Sequence, residues 1–528
     1  MILAKIKFKK VFNAINGLLK RFGEGVINII NFIKTIIHKI NTKLTKNRII
    51  KTLIIAIMLA ICFIIIYIYN YVARRSMIVT DDFDHYNIIK DMSSYIDGEH
   101  FHNAIEYAKW DCINLGGRYF AMFIQCFFGL RDGIDYIANQ STIMSWNVIL
   151  WFGSLLYAIF SFVHNFSNCK KQVLNQIVIT LYIYMSFIIS FNCFNYYPQI
   201  FNWFPGATSY SIPLSCFFIS LGSMLYLINY DNLIFILLSF IFGICSMGGS
   251  LCIVSTSITI LSIVFTALLI SKRINMKFFI LMGNHFLFAL INIISPGNYN
   301  RRVITIGDEY TFLNILNTSL SYINARIKTI FFNPFSIVLI LAFAGLLGFI
   351  IIKYFKPTYS CFVIFPLIIL LPLATTFPIA LGFGNLSLYN QIGVYDRICF
   401  AIDFSLLFVF FYIFTLIYLS ITYIINNANN IIVCLCLMIL VCSTLLYQYR
   451  EYMFFNDIHI IEMTDNIIQK KYDTAYSEYV KMMIELERNR GAQYLTVSKP
   501  KTIVTHYYNF ESRGYENEFF EIKNLSFK

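Results

Sequence analysis

Long apolar stretches, each close to the length that crosses a lipid bilayer, dominate this chain of 528 residues. Residues 54–71, 251–270 and 405–421 are three of these stretches, and they contain no Asp, Glu, Lys or Arg. A helix rises roughly 1.5 Å per residue, so about 20 residues cross about 30 Å of hydrocarbon. Because the alternation of apolar and polar residues that is typical of β-barrel strands is missing, these stretches predict membrane-spanning helices.

The overall composition agrees with this interpretation. Hydrophobic residues make up 58% of the chain and charged residues only 13%, whereas soluble proteins contain about 25% charged residues. We therefore predict an all-α polytopic membrane protein with about eleven transmembrane helices between residues 50 and 447. The predicted spans lie near 50–72, 142–163, 173–192 and 211–229, in two short stretches before residue 272, and near 278–294, 334–352, 359–375, 399–423 and 430–447.

The first 49 residues form a separate basic arm. They contain eleven Lys and Arg but only one acidic residue, Glu24, and so hold most of the formal charge of +13. The basic residues alternate with Ile, Leu, Val and Phe, as in an amphipathic helix that lies on anionic lipid. This location favours a lipid bilayer over nucleic acid as the partner, and a disordered or protein-binding arm is the alternative.

The remaining basic residues predict the orientation of the chain. Loops on the same side of the membrane as the arm contain Lys170, Lys171, Lys272, Arg273, Lys277, Lys353 and Lys356. Since Lys and Arg near span ends favour the cytoplasmic side, we predict a cytoplasmic N-terminus. The loop at 73–141 and the tail at 448–528 then lie on the extracytoplasmic side.

The tail has the composition of a water-soluble domain. Residues 448–528 contain eleven basic and twelve acidic residues, as is ordinary for a soluble protein. The periodicity over 460–490 predicts one long helix that ends at Gly491, and 494–497 and 502–505 predict short strands. We expect a small α/β extracytoplasmic domain.

Three acidic residues, Asp81, Asp82 and Asp84, follow the first predicted span within four positions. Carboxylates this close together at a membrane surface repel one another and lose hydration, which raises the pKa of at least one of them. A carboxyl group with a raised pKa suits a catalytic base. The alternative is a solvated loop or a helix cap, in which Asp81 or Asp82 opens the next helix.

Arginines recur in the loops on the same side as these acids. Three strings carry them: Gly116-Gly117-Arg118-Tyr119, Pro296-Gly297-Asn298 followed by Arg301 and Arg302, and Tyr395-Asp396-Arg397. An arginine where a helix begins, beside glycines that allow close backbone approach, suits phosphate binding. The alternatives are interfacial anchoring, lipid-headgroup binding and structural ion pairs, the last with Asp308 and Glu309 in the case of the second string.

Aromatic residues and histidines accompany these charges. Trp203 lies in a predicted external loop, where its ring either stacks on a sugar or anchors the chain at the membrane interface. His85, His100 and His102 lie near the acids, but their spacing defines no metal site. We therefore predict no cofactor, with a bound divalent ion as the alternative.

Taken together, these features resemble the GT-C superfamily of membrane glycosyltransferases, which use polyprenyl-phosphate sugars. The shared organisation is a first span that leads to an acidic motif in an external loop, two surface helices in that loop, about eleven spans and an external C-terminal domain. The strings Thr80-Asp81-Asp82-Phe83-Asp84, Gly117-Arg118-Tyr119 and Ser295 to Arg301 also resemble a bacterial group of polytopic proteins placed near that superfamily. The likeness covers most of residues 50–450 and excludes the arm and the tail.

The resemblance implies transfer of a sugar from a polyprenyl phosphate to a cell-surface glycan or glycolipid, on the outer face of a bacterial cytoplasmic membrane. It implies that Asp81 or Asp82, with Asp84 as a neighbour, acts as the base on the acceptor hydroxyl. The residues that would bind the donor and acceptor are Arg118, Tyr119, Trp203, Asn298, Arg301, Arg302 and Arg397.

Two other functions remain open at this stage. A polysaccharide polymerase or ligase would use the arginine-rich external loops without an acidic first loop. A transporter of a lipid-linked substrate would instead place ionisable groups in the middle of the membrane. Apart from Asp403, the predicted spans contain little charge.

Overall fold

The structure is a computed structural model that describes residues 46–79, 81–129, 135–168, 172–192, 197–306, 311–332, 334–355, 363–383, 396–425, 459–505, 507, 509–510, 512 and 514–528. Eight of the described helices are long and apolar enough to cross a membrane. The chain is therefore a polytopic membrane protein. The arm as far as residue 45 and the predicted last span at 430–447 lie outside the described residues.

Twelve helices precede residue 310 in the described part of the chain. They are α1 (Lys46–Ala73), α2 (Asp81–Asp91), α3 (His100–Asn114), α4 (Tyr119–Phe128), α5 (Asp135–Phe166), α6 (Val173–Asn192), α7 (Pro198–Phe201), α8 (Phe204–Tyr226), α9 (Leu233–Met247), α10 (Leu251–Ile270), α11 (Met276–Ile294) and α12 (Pro296–Ile306). The later elements are α13 (Phe312–Phe332), α14 (Pro334–Phe355), α15 (Phe365–Phe383), α16 (Asp396–Ile425), α17 (His459–Ile468), α18 (Lys471–Arg488), β1 (Tyr494–Val497), α19 (Tyr515–Phe519) and β2 (Asn524–Phe527).

Helices coincide with the predicted spans as far as residue 423, with four differences. Helix α15 covers Phe365–Phe383 and so ends later than the span predicted at 359–375. Helix α9 has only 15 residues, about 22 Å at the usual rise, and is shorter than the hydrocarbon core. Helix α5 begins at Asp135, so the predicted loop at 73–141 ends earlier. Helix α8 begins at Phe204 rather than near 211, because Pro205 fits the first turn of a helix, where its missing N–H is not needed.

Helix α8 lies in the most buried position of the candidate spans, since 89% of its apolar window is enclosed by protein. It packs between α5 and α9. A side chain at Gly222 would come within 2.7 Å of the Tyr157 ring on α5, so glycine is needed for this close approach. Small and polar residues of this kind hold membrane helices together where the hydrophobic effect cannot.

One end of the helix bundle carries the basic loop between α10 and α11. The Arg273 Nη1 donates a hydrogen bond to the Asn165 carbonyl over 3.3 Å, and the Asn275 Nδ2 donates one to the Leu227 carbonyl over 2.7 Å. The ends of α5 and α8 therefore meet the start of α11 there. The end of α11 and the start of α16, with the second and third arginine strings, lie at the opposite end of these helices.

The C-terminal residues contain helices and a small parallel sheet. The predicted helix over 460–490 is wrong as a single element, because Lys470 has a left-handed conformation (φ 55°) that separates α17 from α18. Strand β1 is confirmed, but it pairs in parallel with β2, in the register Tyr494 to Asn524. The predicted strand at 502–505 is wrong, since the Lys501 and Thr502 amides donate to the Glu478 carboxylate instead of a ladder.

These C-terminal residues pack against the segment between α1 and α2. The guanidinium of Arg75 lies 2.5 Å from the Asp473 carboxylate on α18, and the Tyr71 hydroxyl donates to the same carboxylate over 2.7 Å. The Ile78 amide donates to the Tyr479 hydroxyl over 3.0 Å. The tail is thus bound to the start of the acidic motif.

A buried ion pair joins α13 to α16. Arg326 donates from Nε and Nη2 to the two carboxylate oxygens of Asp403, over 2.8 and 2.5 Å. The Tyr197 hydroxyl donates to the same carboxylate over 2.9 Å. Because Asp403 is fully buried, the cation compensates a charge that the apolar surroundings would otherwise exclude. Helix α13 is therefore fixed to the inside of the bundle at Arg326.

Substitution of Asp403 tests this pair. We expect Asp403→Asn to lower the free energy of unfolding by about 3–5 kcal/mol, because it leaves the Arg326 cation buried without its carboxylate. The measurement is thermal and chemical unfolding of the purified protein in detergent. Asp231→Asn is the matched control, since Asp231 is 77% exposed beside Lys277 and its loss should change stability by less than about 1 kcal/mol. Equal stabilities for the two variants would contradict the assignment.

Candidate functional site

Helix α2 presents two different faces to the protein. Asp82, Phe83 and Tyr86 face the C-terminal residues: the ring centroids of Phe83 and Tyr86 lie 5.2 and 4.8 Å from that of Phe519. Asp81 and His85 are four residues apart and so share another face. Asp81 interacts electrostatically with His85. The acids are therefore divided between two faces of α2: Asp82 lies on the face that packs on the C-terminal residues, and Asp81 lies on the face that is left for a ligand.

The packing face holds Asp82 in a buried position. Its Oδ2 accepts a hydrogen bond from the Val79 amide over 3.0 Å, close to the start of α2. Burial raises the pKa of Asp82 well above its usual range, and the neighbouring Asp81 adds to the increase. Asp84 is half-buried, and burial, Asp81 and Glu518 raise its pKa in that order. The predicted increase is thus present, but desolvation contributes more than repulsion.

Arg118 comes directly before α4 and forms an ion pair with Asp111 on α3. The Arg118 Nη2 donates to the Asp111 Oδ1 over 2.9 Å, and Asp111 is fully buried. As predicted, an arginine stands where a helix begins. This arginine brings one positive charge to the space beside α2.

The two glycine-containing strings interlock, although about 180 residues separate them in the sequence. A side chain at Gly297 would come within 2.4 Å of the Gly116 amide nitrogen. The Gly117 amide donates to the Asn298 Oδ1 over 3.2 Å, and the Asn298 Nδ2 donates to the Asn292 carbonyl over 2.6 Å. This backbone contact fixes the start of α4 against the start of α12, so Arg118 and Arg301 are brought to one place.

Arg118, Arg301 and Arg397 form what we call the arginine cluster. Burial, together with the positive charges of Arg118 and Arg397, lowers the pKa of Arg301 to about 10. Burial and the same two cations lower the pKa of His85 to about 4, against the opposing effect of Asp81. Because Arg118 and Arg397 act on both Arg301 and His85, these groups share one region. The three arginines come from the residue before α4, from α12 and from α16.

An irregular turn in α8 forms another side of this region. Residues Ala207–Ser211 form a π-helical turn, a feature that is often found at functional sites. Within it, the Tyr210 phenol interacts electrostatically with Arg301 and Arg397. Just before α8, the ring centroid of Trp203 lies 4.8 Å from the Arg397 guanidinium. The cation stacks on the ring, which helps to hold it in place.

Several predicted binding residues have structural contacts. Trp203 is 2% exposed, so its ring packs inside the protein and is not an open surface for a sugar. The Tyr119 hydroxyl donates to the Ile244 carbonyl over 2.9 Å, and Asn298 bridges the two glycine strings. The side chain of Arg302 lies outside the described residues. Among the described residues, no three His, Cys, Asp or Glu side chains are arranged to hold a metal ion.

Three residues of this region lie outside the predicted site. His85 is predicted only as an alternative metal ligand, although its four-residue spacing from Asp81 indicates a shared helix face. Asp111 and Tyr210 have no distinguishing sequence pattern, because each acts through tertiary contacts. No family model, curated protein or solved structure matches this chain.

The contact of Gly117 with α11 can be tested by adding one methyl group. A Cβ at Gly117 would lie 2.1 Å from the Asn292 carbonyl oxygen, whereas one at Gly116 would meet its nearest neighbours at 3.4–3.6 Å. We expect Gly117→Ala to destabilise the protein by about 1–3 kcal/mol through overpacking, and Gly116→Ala to have little effect. Thermal unfolding of both variants in detergent measures this. A Gly117→Ala protein as stable as Gly116→Ala would show that the backbone approach is not needed.

Proposed function

We propose that this protein is a membrane glycosyltransferase that moves a sugar from a polyprenyl phosphate to a cell-surface glycan or glycolipid. The observation that carries the proposal is the arginine cluster, in which Arg118, Arg301 and Arg397 share one region with Asp81 and His85. The positive charges of Arg118 and Arg397 lower the pKa of Arg301, which favours an anionic ligand beside it, and arginine binds phosphate oxygens in pairs. Asp81 adds a carboxylate beside the same region.

The arginine cluster is suited to a phosphate leaving group. When the bond between the sugar and the phosphate breaks, its electron pair goes to the phosphate oxygen, and the phosphate gains negative charge. Guanidinium groups that are already fixed in position stabilise this charge without rearrangement. Arg118 is fixed by Asp111, and Arg397 by the Trp203 ring.

Among the three acids, Asp81 is the best candidate for the base. Asp82 is buried and accepts from the Val79 amide, and Asp84 is half-buried beside Glu518 of the C-terminal residues. Asp81 would take the proton from the acceptor hydroxyl as that oxygen attacks the anomeric carbon. Base and leaving-group site would then act on opposite sides of the sugar.

The proposed topology follows from the sorting of charge between the two ends of the bundle. The basic loop that includes Arg273 lies at one end, and positive loops favour the cytoplasm. We place the arginine cluster, at the opposite end, on the outer face of a bacterial cytoplasmic membrane. The full proposal is a GT-C-like arrangement of about eleven spans, with the N-terminus inside and the C-terminal domain outside. A lipid-linked donor would reach the site from the bilayer.

A polysaccharide polymerase or ligase is the second candidate, because the arginine cluster would serve its lipid-linked substrate equally well. Product length separates the two, since a polymerase yields a ladder and a transferase adds single units. A transporter is less well supported. Asp403, a charge within a candidate span, is already compensated by Arg326.

Substitution of the acids tests the base. We expect Asp81→Asn to reduce sugar transfer from a radiolabelled polyprenyl-phosphate sugar by about 100-fold or more, as is usual when a general base is removed. Asp82→Asn is the matched control on the next residue: asparagine keeps the acceptor for the Val79 amide, so transfer should stay within about threefold of wild type. Wild-type transfer by the Asp81→Asn protein would show that Asp81 is not the base, and wild-type transfer by the double variant Asp81→Asn, Asp82→Asn would exclude both acids.

Removal of one cation from the cluster tests phosphate binding. We expect Arg301→Ala to weaken binding of the polyprenyl phosphate by about tenfold or more, because charge-assisted hydrogen bonds are among the stronger ones. Lys109→Ala removes a cation from the exposed surface of α3 and should leave affinity unchanged. Binding is measured in nanodiscs of uncharged lipid. If both variants lost affinity equally, the effect would be one of net charge and not of the cluster.

A further inference from the structure

The imidazole of His85 is held by a buried tyrosine. Its Nδ1 is hydrogen-bonded to the Tyr107 hydroxyl, and the two rings meet edge to face with centroids 5.9 Å apart. Tyr107 is fully buried and stacks on Trp110 of the same helix, α3. Since both ring positions are fixed by packing, the direction of the imidazole is set before any ligand binds.

The same contact determines which ring nitrogen carries the proton. Within the described residues, His85 Nδ1 is the one hydrogen-bond partner of the Tyr107 hydroxyl. A buried O–H group that donates to nothing is costly, so the phenol donates and Nδ1 accepts. In a neutral imidazole the proton is then on Nε2. Nothing in the described part of the chain is hydrogen-bonded to that nitrogen.

The surroundings keep the ring neutral. Arg118 of α4 and Arg397 of α16 are the cations that act on it, and Asp81, one turn earlier on α2, is the acid that acts on it. Burial and the two cations exceed the effect of Asp81, and the pKa of His85 falls to about 4. The ring is half-buried and not sealed. A neutral N–H group therefore lies within electrostatic reach of the Arg118 and Arg397 guanidinium groups.

We propose that the Nε2–H of His85 is a hydrogen-bond donor to the phosphate group bound at the arginine cluster, and that Tyr107 is a positioning residue that fixes this tautomer. The proposal rests on the proposed function, because it takes the ligand to be a phosphate ester. His85 keeps its proton throughout. The hydrogen bond strengthens as the sugar–oxygen bond breaks and the phosphate gains negative charge.

Binding of a lipid phosphate tests the proposal apart from sugar transfer. The probe is farnesyl phosphate added to the full-length protein in nanodiscs of uncharged lipid at neutral pH, with farnesol as the uncharged reference. We expect His85→Leu to weaken binding of farnesyl phosphate by about tenfold to 100-fold, the usual effect of losing a hydrogen bond to a charged group. Farnesol binding should not change.

Two isosteric substitutions separate hydrogen bonding from packing. His85→Gln places an amide N–H near the position of Nε2 and should retain affinity within about fivefold, whereas His85→Asn places its amide near Nδ1 and should resemble His85→Leu.

Tyr107→Phe keeps the ring but no longer fixes which nitrogen of His85 carries the proton, so we expect an intermediate loss of affinity of about threefold to tenfold. His100→Leu removes an exposed imidazole from the start of α3 and should leave binding unchanged.

The outcomes distinguish the two proposals. Wild-type affinity in His85→Leu, in a protein that binds farnesyl phosphate, would overturn the role of His85 and leave the glycosyltransferase proposal intact. Equal losses in His85→Gln and His85→Leu would also overturn it, since packing alone would then explain the effect. If the wild-type protein bound farnesyl phosphate but transferred no sugar, the proposed function would fail and the His85 comparison would still stand. If it bound farnesol as tightly as farnesyl phosphate, both would fail.

Discussion

Positive charges brought together in a partly buried region raise the free energy of the folded protein, and this constraint governs the end of the bundle that carries Arg118, Arg301 and Arg397. Their effect on one another is visible in the lowered pKa of Arg301. A folded protein tolerates this cost only where many other contacts fix the positions of the charged groups. Within the cluster, Arg118 also lies against a carboxylate, that of Asp111. The repulsion that Arg118 and Arg397 exert on Arg301 favours an anionic ligand in this region.

Backbone contacts, more than side-chain pairs, fix the geometry of the arginine cluster. Gly297 lies against the Gly116 amide, and Gly117 lies against the Asn292 carbonyl, so helices from distant parts of the sequence meet where no side chain intervenes. Helix starts are then fixed to one another directly. The backbone therefore sets the positions of the arginines that follow these glycines. Its conformation varies less than that of long side chains.

The sequence predicted the helices well, because apolar stretches of span length have few other solutions in a bilayer. It also predicted that Arg118 stands at a helix start and that the pKa of an acid in the motif is raised. It did not predict that the acids lie on different faces of α2. Asp82 lies on the packing face because Phe83 and Tyr86 beside it pack on Phe519. Such a choice depends on a partner more than 400 residues away, and no local pattern records it.

The same tertiary contacts explain why the acids and the histidine of α2 have separate roles. Desolvation acts on Asp82 and on His85 alike: it raises the pKa of the acid and lowers that of the base, so it disfavours the charged form of each. An anion entering this region meets guanidinium groups and a neutral N–H donor, with Asp81 on the adjoining turn. That arrangement lets one short helix bring a carboxylate and a hydrogen-bond donor to the same ligand while its other face holds the C-terminal residues.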